Sequence, residues 1–188
     1  MKVEQTALPG AILITPNRFG DERGFFSEVF RADIFERDVG AFSFVQDNHS
    51  LSARQGTLRG LHYQKEPAAQ GKLVRVTRGA ILDVAVDIRH GSPMFGRHIA
   101  VELDAKAGRQ LWVPPGFLHG FCTLTDETEV IYKVTSHYSA QHDAGVTWND
   151  PDLAIAWPSF GQGYVLSQKD AIAPRLRDIG IQFTFTAP

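Results

Sequence analysis

The stretch "KLVRVTRGAILDVAVDIR", Lys72 to Arg89, decides how this chain folds. Within it Leu82, Val84, Val86 and Ile88 alternate with Ile81, Asp83, Ala85 and Asp87, the period of two that belongs to an extended strand. One face is wholly apolar and the other carries two carboxylates. The apolar face is expected to meet a core, and the mixed face to look into a cavity or onto solvent. "TRGA", Thr77 to Ala80, reads as the turn of a hairpin.

Outward from this stretch the pattern repeats. "RHIAVELDAKAGRQLWVPPGF" (Arg97 to Phe117) and "TEVIYKVTSHY" (Thr128 to Tyr138) are short segments rich in Val, Ile and Phe, with turn residues at close intervals. "DAKAG" reads as a longer loop and "VPPG" as a stiff bend before Phe117. Only "RADIFERDVG", residues 31–40, has the pattern of a helix, closed by Gly40, with a second short helix near Asp170 to Ala173. The expected class is all-β, an antiparallel sandwich or barrel with few helices, and the tail after Trp157 is expected to wrap its surface.

The 188 residues suit a single domain spanning 1–188. Nineteen Lys plus Arg against 21 Asp plus Glu leave a formal charge of -2, so no global field recruits nucleic acid or an acidic membrane surface. No apolar run approaches the roughly 20 residues of a membrane span. The one cysteine, Cys122, has no partner for an internal disulfide and lies in the apolar run "GFCTL", which fits a reduced, cytoplasmic protein.

Two histidines end apolar segments: His62 in "LRGLHYQ" and His119 in "PPGFLHGF". The second has the spacing P-x-G-x-x-H, which resembles half of the cupin β-barrel signature and implies a jelly-roll barrel. Metal-binding cupins usually supply His-x-His in the other half, where this chain has His62, Tyr63 and Gln64. A catalytic metal typically keeps three protein ligands, so no metal is expected. Packed, hydrogen-bonded core histidines are the competing explanation.

Arg23, Arg59 and Lys72 bring cations beside glycines into the same half of the chain, a combination suited to an anion such as a diphosphate. Tyr132 and Tyr138 lie six apart and would share a face of an extended strand. Arg59 and His62 lie three apart, and would share a face only through a local bulge or twist.

Taken in order, "DERGFFSEVF", "FVQDNHS", "GTLRGLHYQ", "LWVPPGFLHGF", "EVIYKV", "HYS", "WNDPDLAIAWP" and "LSQKD" resemble the dTDP-4-dehydrorhamnose 3,5-epimerases, from about Arg18 through Asp170. The resemblance implies a cofactor-free epimerase acting on a dTDP-linked 4-keto-6-deoxyhexose at C5 and C3. By the same resemblance His62 is the base, Asp170 its partner carboxylate, Tyr132 the acid and Lys72 the cation beside the developing oxyanion. Arg23 and Arg59 match diphosphate positions, and Phe26, Glu28, Gln46, Asn48 and Tyr138 match residues around the thymidine or sugar. His119 matches a site-lining residue, which Asp83 would orient or merely bond for structural reasons. A homodimer with exchanged N-terminal strands, one subunit's early residues lining the other's pocket, is also implied. Asp143 stands where relatives carry Glu, one methylene longer, so a contact from it to the nucleotide would need rearrangement. Alternatives that share the scaffold are a single-site 3- or 5-epimerase and a non-catalytic sugar-nucleotide-binding cupin. A metal-dependent cupin oxygenase is disfavoured by its missing ligands.

Overall fold

The computed structural model describes residues 1–186; residues 187–188, at the end of the expected domain, lie outside the described residues. In chain order the strands begin with β1 (Lys2–Gln5), β2 (Ile12–Thr15), β3 (Arg18–Asp21) and β4 (Gly24–Ser27), followed by helix α1 (Ala32–Asp38). The central strands are β5 (Gln46–Ser52), β6 (Leu58–Gln64), β7 (Lys72–Arg78), β8 (Ala80–Asp87), β9 (Arg89–His90) and β10 (His98–Asp104). Then come β11 (Gln110–Val113), β12 (Phe117–Thr123), β13 (Thr128–Val134) and β14 (Asp143–Gly145), helix α2 (Gln168–Ala171) and β15 (Phe183–Thr184).

Two antiparallel sheets carry the fold, one of six strands in the order β1-β2-β11-β7-β13-β5 and one of five in the order β10-β8-β12-β6-β14. Val74, Val76, Leu111 and Val130 of the first face Ile81, Ala85, Phe117 and Phe121 of the second in one buried cluster. Each such side chain contributes about 1.5–3 kcal/mol on burial. Successive strands repeatedly change sheet, from β7 to β8 and again from β10 through β13, which is the connectivity of a jelly roll.

That connectivity corrects the hairpin expected at "TRGA". Gly79 carries the chain from one sheet to the other, since β8 pairs with β10 and β12 and not with β7. The positive φ of 76° there suits glycine, and an added Cβ would lie 2.3 Å from the Thr125 hydroxyl. A tight turn looks the same in sequence whether the strands it joins lie side by side or face to face. Here face-to-face placement lets Val74 and Val76 meet Ile81 and Ala85.

The two faces of β8 are both covered. Ile81 and Ala85, with Asp83 between them, look into the barrel, while Val84, Val86 and Ile88 pack beneath Leu153, Leu176 and Phe183 of the C-terminal segment. The mixed-polarity face is therefore the interior one. On the outer face of the six-stranded sheet, α1 covers the part around Ile12, Ile14, Leu73 and Trp112, its Phe35 packing edge-on against Trp112 at 5.2 Å. A seven-residue helix has little stability of its own, and the burial of Phe35 fixes it. Gly40, as expected, ends this helix, its N–H donating to Phe35 O.

Among the described residues the β3–β4 hairpin forms a two-stranded sheet of its own, and Phe19, Phe25 and Phe26 on it are each more than 60% exposed (62%, 61% and 67%). Among the described residues no helix is long and apolar enough to cross a membrane.

Candidate active site

The site is organised by an irregularity in β6. His62 pairs with His119, yet Arg59 pairs with Phe121, so three steps along β6 match two along β12. The extra residue is a bulge, and it turns Arg59 and His62 toward the same space. It requires glycine on both strands: a Cβ on Gly60, whose φ is 132°, would lie 2.5 Å from the Gly120 Cα. The awkward three-residue spacing is thus resolved by the backbone.

Arg59 and His62 line a cavity of about 350 Å³ together with Lys72 from β7, His119 from β12, Tyr132 from β13 and Asp170 from α2. A smaller cavity of about 180 Å³ is lined by Gln46, Asn48, Tyr138, Asp143 and Lys169. His62, Lys72 and Tyr132 belong to both, and so mark the waist of one elongated cleft.

The His62 Nε2–H donates to Asp170 Oδ1 at 2.5 Å. Asp170 is 3% exposed, and its second oxygen accepts from the Ser167 hydroxyl at 2.8 Å. Burial alone would raise the Asp170 carboxyl, but the hydrogen bond and charge of His62, with help from Ser167 and Lys169, hold it below the usual carboxylate range. Burial is also the strongest influence on His62 and lowers its pKa; the Asp170 bond opposes this and the Lys72 charge adds to it. A neutral imidazole at neutral pH follows, with Nδ1 left to take a proton.

Lys72 is pulled down to about 8, chiefly by burial, against the charges of Asp143 and Asp83. Among the described residues its ammonium has neither an ion-pair partner nor a side-chain hydrogen bond, and it is presented to the cleft. Tyr132 is raised by burial, with the Arg59 charge opposing, so its phenol keeps its proton. On the far wall a second pair forms, His119 Nε2–H donating to Asp83 Oδ1 at 2.7 Å. The other oxygen of Asp83 is buried without a partner in the described structure.

At the ends of the cleft, Arg59 is steadied by Ser52 Oγ and Leu51 O, each at 3.3 Å. Gln46 donates to Asn48 Oδ1 at 2.8 Å and accepts from the Tyr138 N–H at 3.1 Å. Asp143 takes a hydrogen bond from the Tyr138 phenol at 3.2 Å and a close contact from Lys169. Arg23, Phe26 and Glu28 line neither cavity of this chain: Arg23 pairs with Asp21 on the exposed hairpin, and Glu28 lies near Arg31. Cys122 is a buried thiol raised by burial to about 12, unsuited to act as a nucleophile.

Sequence reading missed Ser167 and Lys169. For Ser167 a signal was present, because Ser-x-x-Asp in "LSQKD" is the pattern of a capped helix start. Ser167 is the N-cap of α2, so the helix begins two residues before the expected Asp170.

The model of the dTDP-4-dehydrorhamnose 3,5-epimerase family matches residues 5–178 of this chain. The chain belongs to that family. Among its relatives, the dTDP-4-dehydrorhamnose 3,5-epimerase of Sinorhizobium fredii is 55% identical over 173 residues, covering 92% of this chain and 88% of the relative. The crystal structure of RmlC from Legionella pneumophila, in complex with dTDP-4-keto-L-rhamnose, superposes with a TM-score of 0.95 at 43% identity and covers 99% of each chain. ChmJ, a 3'-monoepimerase from Streptomyces bikiniensis in complex with dTDP-quinovose, has a TM-score of 0.89 at 37% identity, over 95% of this chain and 91% of that one. The epimerase family thus includes scaffolds of the same shape that invert one centre.

Proposed function

We propose that this protein is a dTDP-4-dehydrorhamnose 3,5-epimerase, converting dTDP-4-dehydro-6-deoxy-D-glucose to dTDP-4-dehydro-L-rhamnose. The observation that carries the reading is the convergence of the His62–Asp170 pair, the Tyr132 phenol and the unpaired Lys72 ammonium on one cleft. A C–H beside a ketone is removable only if the enolate is stabilised, and the 4-keto group acidifies both C3 and C5. His62 Nδ1 takes the proton while Asp170 stabilises the imidazolium. Lys72 faces the developing oxyanion, where a preorganised cation contributes several kcal/mol. Tyr132 then gives a proton to the opposite face of the planar enolate, which inverts the centre. Only protons move, so the step balances without an electron carrier or other cofactor.

Arg59 is suited to the diphosphate, with Gln46, Asn48 and Tyr138 along the arm toward the nucleoside. His119, held by Asp83, lines the sugar end. Asp143 is tied to Tyr138 and Lys169 through Oδ2, and its Oδ1 is the oxygen left to accept from the nucleoside. A homodimer supplies the role of Arg23, Phe26 and Glu28. What supports it is a hairpin that carries three exposed phenylalanines and has no further strand partner among the described residues. The reduced Cys122 accords with action in the cytoplasm.

The test is proton NMR in D2O with dTDP-4-keto-6-deoxyglucose. Deuterium entering at both C3 and C5 establishes the double epimerase. Entry at one carbon only assigns a single-site enzyme such as the 3'-monoepimerase relative, and entry at neither rejects the substrate.

A further inference from the structure

Asp170 has two carboxylate oxygens, and each has one side-chain partner: His62 on Oδ1 and the Ser167 hydroxyl on Oδ2. The same Ser167 oxygen accepts from the Asp170 backbone N–H at 3.1 Å. Ser167 therefore grips one residue at two points, its backbone and the side-chain oxygen remote from the histidine. The grip is itself anchored. Val165, two residues earlier, donates its N–H to Gly56 O and accepts from the Leu58 N–H at the start of β6, the strand that bears His62. Ser167 also lines the same cavity as His62.

We propose that Ser167 is a positioning residue of the reaction, the third member of a Ser167–Asp170–His62 chain that aims the carboxylate and sets how strongly it holds the imidazolium. This rests on the reading of His62 as the base. The physical argument concerns the division of one negative charge. A buried carboxylate that donates part of its acceptor capacity to a hydroxyl has less left for the imidazolium, and a fixed second contact stops it rotating away. Loss of the hydroxyl leaves Oδ2 of a buried carboxylate unpartnered, and the His62 proton becomes its main source of stabilisation. Removing Ser167 Oγ should therefore raise the pH at which His62 loses its proton. The acid limb of kcat/KM should move up with it.

His62 faces several other charged or titratable groups. Lys72 reaches it from β7, Lys169 from α2 beside Asp170, Arg59 from its own strand, Tyr132 from β13 and Asp143 from β14, with the His119–Asp83 pair on the neighbouring β12 and β8. None of them bonds to Asp170 Oδ2 in this structure, so a change made at Ser167 leaves these groups in place. Ser167 is also the N-cap of α2, and that structural duty must be separated from the electrostatic one. Glycine substitutes for an N-cap serine at little cost, alanine at more, and threonine keeps the hydroxyl.

The experiment compares wild type with Ser167→Thr, Ser167→Gly and Ser167→Ala. Imidazole signals of the nitrogen-15-labelled proteins are titrated without substrate, with His62→Gln assigning the His62 signal, and deuterium exchange is then measured against pH. The expected result is an upward shift of the His62 titration by about half a unit to one unit in both the Gly and Ala variants, the worth of one hydrogen bond. A matching move of the acid limb and a several-fold lower kcat with little change in KM should accompany it, and Thr should restore wild-type behaviour. Titration in Gly and Ala unchanged from wild type overturns the proposal even if activity falls. So does a Gly variant that matches wild type while Ala does not, because capping would then be the whole role. The titration uses no substrate, so it stands apart from the exchange test on the wild type, which alone decides the substrate reading.

Discussion

His62 and Asp170, 108 residues apart in the chain, meet at 2.5 Å beneath a tail that is hydrogen-bonded to the start of β6 through Val165. The base is thus assembled from the barrel and the partner carboxylate from the segment wrapped over it. Neither part holds the pair alone.

Replacing His62 with Ala removes the base without touching Arg59, Gln46 or Asn48. Exchange at both carbons should fall by about 10²–10⁴-fold, while dTDP affinity by calorimetry stays near wild type. Loss of affinity as well would give His62 a structural duty instead.

Tyr132→Phe keeps the ring and removes the acid. Solvent deuterium should still enter, because His62 can return a deuteron to the face it came from, but net inversion should be lost. Normal inversion in this variant would assign the acid to another group.

The dependence on pH follows from two displaced titrations. His62 is active when neutral, and its lowered pKa extends activity downward, placing the acid limb of kcat/KM below the ordinary range for histidine. Lys72 is active when charged, and its lowered pKa brings the alkaline limb to about 8. The free enzyme should show a bell with activity lost on both sides. Lys72→Met should lower kcat by roughly 10²–10³-fold, the worth of one oxyanion-stabilising group, and abolish the alkaline limb. An alkaline limb that persisted would belong to another residue.

The barrel was legible because alternating apolar positions are a local property of each strand, as in Leu82 to Ile88. Which strand lies beside which is not local, and so the corner at Gly79 read as a hairpin. The cations and histidines of the site stood out by residue type, whereas Asp170 came only through family resemblance, since nothing near it in sequence points to β6. Ser167 was overlooked for the opposite reason: its capping pattern is visible, but such patterns normally speak only of helix ends. The bulge that reconciles Arg59 with His62 was required by their spacing, yet its location depends on Gly120 from another strand.

Arg59→Ala should act on affinity, raising KM by about tenfold or more with a smaller change in kcat, as expected for a lost charge-assisted bidentate contact. An unchanged KM would remove Arg59 from the diphosphate.

Mixed dimers test the exposed hairpin. Assayed well below KM, Arg23→Ala chains (weakened in affinity) and His62→Ala chains (without the base) should together reach about a quarter of wild-type kcat/KM when refolded as a mixture, because half of a random mixture pairs the two and each such dimer has one complete site. No recovery would mean that Arg23 does not serve a partner's cleft.

Where Gly60 and Gly120 come together, β6 changes phase. A regular strand delivers side chains to one wall at intervals of two residues, about 7 Å apart, and is confined to even numbers. The inserted step breaks that arithmetic once and restores it afterward. Residues on either side of Gly60 therefore keep their own alternation, yet an odd interval joins the charged head of the cleft to its reactive centre. Deleting a single residue there would put the two halves of β6 out of step, sending either Arg59 or His62 to the outer wall while leaving the composition of the site almost unchanged.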